Sequence, residues 1–137
     1  MAKDTIHDAV KNALEKEGWS VTDEPMMVRT GGVALDMDLA VEKLMQAVKE
    51  NERIIVEIKS FKGPSLIYEF HAALGQYINY RGALSDESIQ LEIFLAVSAG
   101  TFRKFSRSEF YLRRMKENNV KLVVVNIIEE IIVEWIK

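Results

Sequence analysis

Residues 91–97 read Leu-Glu-Ile-Phe-Leu-Ala-Val, a nearly uninterrupted apolar run of strand length. A strand with one wet face alternates apolar and polar residues. A run that does not alternate has both faces covered, which marks a central strand with other layers packed above and below it. The chain must therefore supply helices for both faces of a sheet, and its pattern does so. The expected fold class is α/β, a mixed β-sheet flanked by helices.

Asp4 or Thr5 can cap a first helix running to about Glu17. Ile6, Val10, Ala13 and Leu14 recur at helical spacing, and Gly18 is a natural stop. Short strands are expected over 20–22 and 26–29, with a turn at Gly31-Gly32. Residues 33–39 alternate, with Leu35, Met37 and Leu39 on one face and Asp36 and Asp38 on the other. Residues 41–49 suit either a helix or a strand. The strand is adopted, because the hairpin into the next strand is then short. Residues 54–59 form the clearest strand, rich in β-branched side chains. Ser65 can cap a long helix to about Leu84, with Ile67, Phe70, Leu74, Tyr77 and Ile78 inward. A helix over 102–118 follows, with Phe102, Phe105, Leu112 and Met115 inward, and then a hairpin of strands 121–126 and 131–136.

At 137 residues the chain has the size of one domain, and residues 1–137 are read as a single unit. It has no cysteine, which excludes disulfides, thiolate metal sites and cysteine nucleophiles. Two histidines make a zinc site a poor fit. No targeting segment or membrane span is evident, so a cytoplasmic protein is expected. The net charge of −3 runs against strong nucleic-acid affinity by the chain alone. The basic residues nonetheless cluster locally, at Arg103, Lys104, Arg107, Arg113, Arg114 and Lys116.

The sharpest chemical constellation is Asp38 with Glu57-Ile58-Lys59. Residues two apart on a strand share a face, so Glu57 and Lys59 project together while Ile58 points the other way. If the strand bearing Asp38 lies beside this one, two carboxylates approach each other, and they repel unless a cation sits between them. Mg²⁺ or Mn²⁺ suits such a site. Asp38, Glu57 and the Ile58 backbone carbonyl would form a partial shell. Lys59 could then orient or deprotonate an attacking water and stabilise charge on a phosphate. An acid-x-Lys tripeptide also arises often by chance as a solvated pair; the upstream Asp and the helix that follows favour the site.

Gln76 and Tyr80 lie one turn apart on the helix after Lys59 and could reach the rim of this site, although a solvent-facing Gln76 and a half-buried Tyr80 are the plainer reading. His7, in the first turn of the first helix, is more often structural than catalytic in such a position.

The stretch from Ala2 to Trp19, AKDTIHDAVKNALEKEGW, resembles the start of the XisH family, the fdxN-element excision controlling factors of cyanobacteria. The likeness continues through Gly31-Gly32-Val33, Asp38-Leu39, Glu42-Lys43 and Val56-Glu57-Ile58-Lys59-Ser60-Phe61. It runs on through Gly63-Pro64-Ser65, the run from Phe70 to Tyr77, and Asn79-Tyr80-Arg81. That family is similar to the PD-(D/E)xK, or restriction-endonuclease-like, superfamily. The resemblance implies a metal-binding Asp38 and Glu57, a catalytic Lys59, and roles for Gln76 and Tyr80. It also implies an acidic residue of the first helix, for which Glu15 or Asp8 could serve, or His7 in its place. Met37 stands where that superfamily usually has proline. The implied role is in site-specific DNA rearrangement during heterocyst development, alongside a recombinase and a second small factor, XisI. A homo-oligomer is expected.

Three readings follow. One is a Mg²⁺-dependent endonuclease. Another is a non-catalytic scaffold on the nuclease fold that binds an XisI-like protein, a recombinase complex or both. The third is a module of an antitoxin-like or defence pair.

Overall fold

The computed structural model describes residues 2–22, 27–36 and 43–137. Its elements run α1 (Ala2–Lys16), β1 (Ser20–Thr22), β2 (Met27–Thr30), β3 (Val33–Asp36), β4 (Lys43–Lys49), β5 (Glu52–Ile58), α2 (Leu66–Asp86), β6 (Glu92–Ser98), α3 (Ala99–Ser106), α4 (Glu109–Glu117), β7 (Lys121–Asn126) and β8 (Ile131–Ile136). Six strands form one mixed sheet in the order β1-β4-β5-β6-β7-β8. The β5-β6 and β6-β7 pairs are parallel and the rest antiparallel. The apolar run of β6 sits between β5 and β7, as its doubly buried pattern requires.

Each central strand divides its side chains between two cores. Ile54, Val56 and Ile58 of β5 join Ile6, Val10, Ala13, Leu14 and Trp19 on the α1 side. Ile55, Ile93, Leu95, Val97, Leu122 and Val124 join Phe70, Ala73, Tyr77 and Phe105 on the α2–α4 side. Burying one such aliphatic side chain contributes roughly 1.5–3 kcal/mol, so the sheet is fixed from both faces.

Three expectations need correction. The described part of the alternating stretch, residues 33–36, does not lie beside β5. Thr30-Gly31-Gly32-Val33 closes a tight hairpin, and β3 pairs with β2 in a separate two-stranded ribbon. Both turn glycines have positive φ, at 55° and 79°, which suits a two-residue hairpin loop. β4 takes the place beside β5, and Asp38 lies outside the described residues. Second, the single helix over 102–118 is two helices. α3 stops at Ser106, and Ser108 caps α4 by accepting from the Phe110 N–H at 3.3 Å. Third, Ile67 and Leu112 face solvent. Ala73, Tyr80, Ala83 and Leu84 join Phe70 and Tyr77 on the buried side of α2.

Candidate active site at the end of β5

The alternation that sends Ile54, Val56 and Ile58 toward α1 sends Glu57 to the opposite face. There the carboxyl is only 1% exposed. Among the described residues neither Oε1 nor Oε2 has a hydrogen-bond partner. Burying an unpaired carboxylate costs several kcal/mol, so the group either keeps a proton or awaits a cation. Burial pushes the Glu57 carboxyl up to about 8.

Lys59 follows on the same face. Its backbone N–H extends the parallel ladder by donating to the Ala96 carbonyl at 3.3 Å, and its side chain is buried. Burial lowers the ammonium to about 8, against the pull of the Glu69 carboxylate, which raises it. Two groups of opposite type therefore titrate near the same pH, two residues apart.

Phe61 then turns the chain away with φ 55°. That left-handed conformation is unfavourable for a bulky residue and persists only where packing over-determines it. The packing here is an edge contact of the Phe61 ring with Phe105 of α3, at 5.2 Å between centroids. Phe70 and Tyr111 crowd the same Phe105 ring at 5.6 and 5.0 Å. Each such pair contributes about 0.5–1.5 kcal/mol beyond its buried area. The end of β5 is thus held rigidly.

α2 covers this face. Glu69, Ala73, Gln76 and Tyr80 are spaced four, three and four residues apart and form one stripe of the helix. Glu69 acts on Lys59. Its carboxylate also lies so close to Gly63 that a Cβ there would meet Oε2 at 2.8 Å. Further along the helix, Tyr77 is held above the usual phenol range, chiefly by burial, and the Glu57 charge adds to the rise. Gln76, the neighbour of Tyr77, keeps a buried Oε1 with no hydrogen-bond partner among the described residues. Tyr80 is buried, more deeply than its sequence position implied. Glu69 did not stand out in the sequence. The stripe it shares with a small Ala73 and a polar Gln76 was the available signal.

The α1 candidates lie on the other side of the sheet. Gly18 sits against the Lys49 side chain, at the β4-β5 turn, so exposed Glu15 belongs to the end of β5 where Glu52 lies. Glu57 is five residues further on, about 17 Å along a strand. His7 and Asp8 sit near the opposite end of the helix, half-buried and exposed respectively. A cavity of about 670 Å³, lined in part by Trp19, Glu52, Ile54 and Trp135, also lies at the Glu52 end, away from Glu57.

Among the described residues no three His, Asp or Glu side chains converge on one point. A hard divalent ion nonetheless fits the donors present. Glu57 offers two bare carboxylate oxygens and Gln76 a bare amide oxygen, all acceptors and all buried. Oxygen acceptors without donors are the chemistry that Mg²⁺ and Mn²⁺ select.

Residues 1–133 match the model of the XisH protein family. The chain is similar to the crystal structure of an XisH family protein from Nostoc punctiforme PCC 73102, at 42% identity and a TM-score of 0.87, covering 98% of this chain and 100% of that one. It is similar to the same degree, 42% identity with a TM-score of 0.86, to the crystal structure of a fdxN element excision controlling factor protein from Anabaena variabilis. That match covers 98% of this chain and 99% of the other. No curated protein matches the sequence.

Proposed function

This chain belongs to the XisH family, and we propose that it acts in the excision of a DNA element through a divalent-metal site that cleaves phosphodiester bonds. The observation that carries the reading is Glu57: a carboxyl buried in the sheet with both oxygens bare, two residues from a lysine that burial brings to about 8. The fdxN element excision factor that the chain is similar to supplies the biological direction.

A Mg²⁺ or Mn²⁺ ion bound there supplies Lewis acidity toward a phosphate oxygen and lowers the pKa of a bound water. Glu57, the Ile58 carbonyl and Asp38 are the ligands in this reading. Lys59 exchanges a proton near neutral pH, the property required of a group that orients and deprotonates an attacking water. In its charged form it offsets negative charge building on the phosphate. Gln76 positions the water or a phosphate oxygen, and Tyr80 closes the site on the α2 side. Of the first-helix candidates, Glu15 lies at the Glu52 end of β5, too far from Glu57 to join it.

The test incubates the purified chain with Mg²⁺ or Mn²⁺ on linear, nicked and branched DNA, with and without an XisI-like partner, beside Glu57→Gln. Metal-dependent products from the wild type alone support the reading. If the wild type cuts none of these substrates under either condition, the chain is a scaffold for a partner or recombinase complex.

A further inference from the structure

We infer that the solvent face of α3 and its C-cap, formed by Arg103, Lys104 and Arg107, is the track on which a DNA phosphate backbone is held beside the β5 site. The inference rests on the proposed function for its ligand, and on three features of α3 for its position.

The first is placement. β5, β6 and β7 are parallel, and ligands of such sheets gather at the carboxyl ends of the strands. Lys59 leaves β5 at that end, bonded to Ala96 of β6. Two residues beyond Ala96, Ser98 caps α3 by accepting from the Thr101 N–H at 3.1 Å. Phe105 turns one side of α3 inward, onto Phe61. In a helix of 3.6 residues per turn, the side opposite Phe105 carries Arg103 and Arg107, with Lys104 adjoining. All three are exposed.

The second feature is charge. α3 has no acidic residue. Among the described residues the side chains of Arg103, Lys104 and Arg107 make no hydrogen bond or ion pair. On α4, by contrast, Arg113 pairs with Glu109 at 3.4 Å and Arg114 with Glu117 at 2.8 Å. Three unneutralised cations on one short helix stand out in a chain of net charge −3.

The third is energetic. Arg103 and Arg107 are four apart, a like-charged spacing that destabilises a helix. Favourable placement near the helix C-terminus offsets this in part. It does not explain why three of the four exposed positions of α3 and its cap, all but Ser106, are basic. A row of cations pointing at water beside a phosphodiester-cleaving site is what a polyanionic backbone neutralises.

The test measures binding of a fluorescent duplex of arbitrary sequence by anisotropy, in EDTA, so that cleavage plays no part. Wild type, Arg103→Ala/Lys104→Ala/Arg107→Ala and Arg113→Ala/Arg114→Ala are compared over a series of salt concentrations. The expected result is that the α3 triple variant loses about tenfold or more in affinity at low salt, and that its log K against log salt slope shrinks by about one per contact removed. The α4 variant should stay within about twofold of wild type, within the scatter of surface changes. Circular dichroism should show all three folded. No binding by the wild type, equal losses in the α3 and α4 variants, or an unchanged slope in the triple variant would each overturn the inference. Binding that depends on α3 in a protein that cleaves nothing would leave the track standing and remove the catalytic reading.

Discussion

Glu57 and Lys59 leave the same face of β5, two residues apart, and both are buried on the side of the sheet that α2 covers, at 1% and 6% exposure. Burial moves their ionisation from opposite directions to the same value, about 8. A carboxyl and an ammonium that both change charge near neutral pH form a pair suited to moving a proton.

The first prediction is an unusual pH dependence of stability. Glu57 is raised from 4.5 to about 8 on folding, so the folded state holds a proton that the unfolded state has lost. Stability from this group is present below pH 4.5 and falls as pH rises toward 8. Between pH 5 and 7.5 the loss is on the order of 3 kcal/mol. Lys59 is lowered from 10.5 to about 8, so its contribution is present above pH 10.5 and falls as pH drops toward 8. Urea unfolding in EDTA should therefore show wild-type stability falling from pH 5 to 7.5 relative to Glu57→Gln. Parallel curves for the two proteins would mean that Glu57 is not buried and unpaired.

Metal binding should depend on pH for the same reason. An ion that takes the carboxylate displaces the Glu57 proton, so affinity should rise by up to about tenfold per pH unit until pH 8 and then level off. Mg²⁺ or Mn²⁺ should raise the melting temperature of the wild type. Glu57→Gln should lose that increase, and Asp38→Asn should lose it if Asp38 joins the shell. Calorimetry in buffers of different ionisation enthalpy counts the released protons. A count of zero at pH 7 would remove Glu57 from the metal shell.

Tyr77 makes a third, independent test of how α2 is held. Its hydroxyl donates to the Ile93 carbonyl at 2.8 Å and accepts from the Lys121 N–H at 3.1 Å. One phenol thus joins α2 to the starts of β6 and β7. Tyr77→Phe leaves a buried carbonyl and an amide without partners and should cost about 1–3 kcal/mol in chemical denaturation. A cost near zero would mean that water or another group satisfies them.

These residues also show what the sequence made legible. The β5 face was readable because strand alternation alone puts Glu57 and Lys59 together and Ile58 apart from them. The central place of β6 was readable from its unbroken apolar run. The place of β3 was not. Alternation says which face a residue takes and nothing about which strand lies alongside, and the Gly31-Gly32 hairpin settled that question locally by pairing β3 with β2. The break between α3 and α4 left a weaker signal, Ser108 before an acidic Glu109, which is a helix-start pattern inside a helical window. Tyr77 looked like simple core, because apolar spacing does not reveal that a hydroxyl bridges two strands. The α1 candidates were drawn from a resemblance, and the packing of α1 on the opposite face separates Glu15 from Glu57.

Lys59→Ala tests the central claim most directly. An ammonium does not ligate Mg²⁺, so this variant should keep metal-induced stabilisation while losing the chemistry. The measurement is excision of the DNA element in cells that carry Lys59→Ala at wild-type protein level. The account predicts that excision is lost while the purified variant still responds to metal. Normal excision in those cells would contradict it.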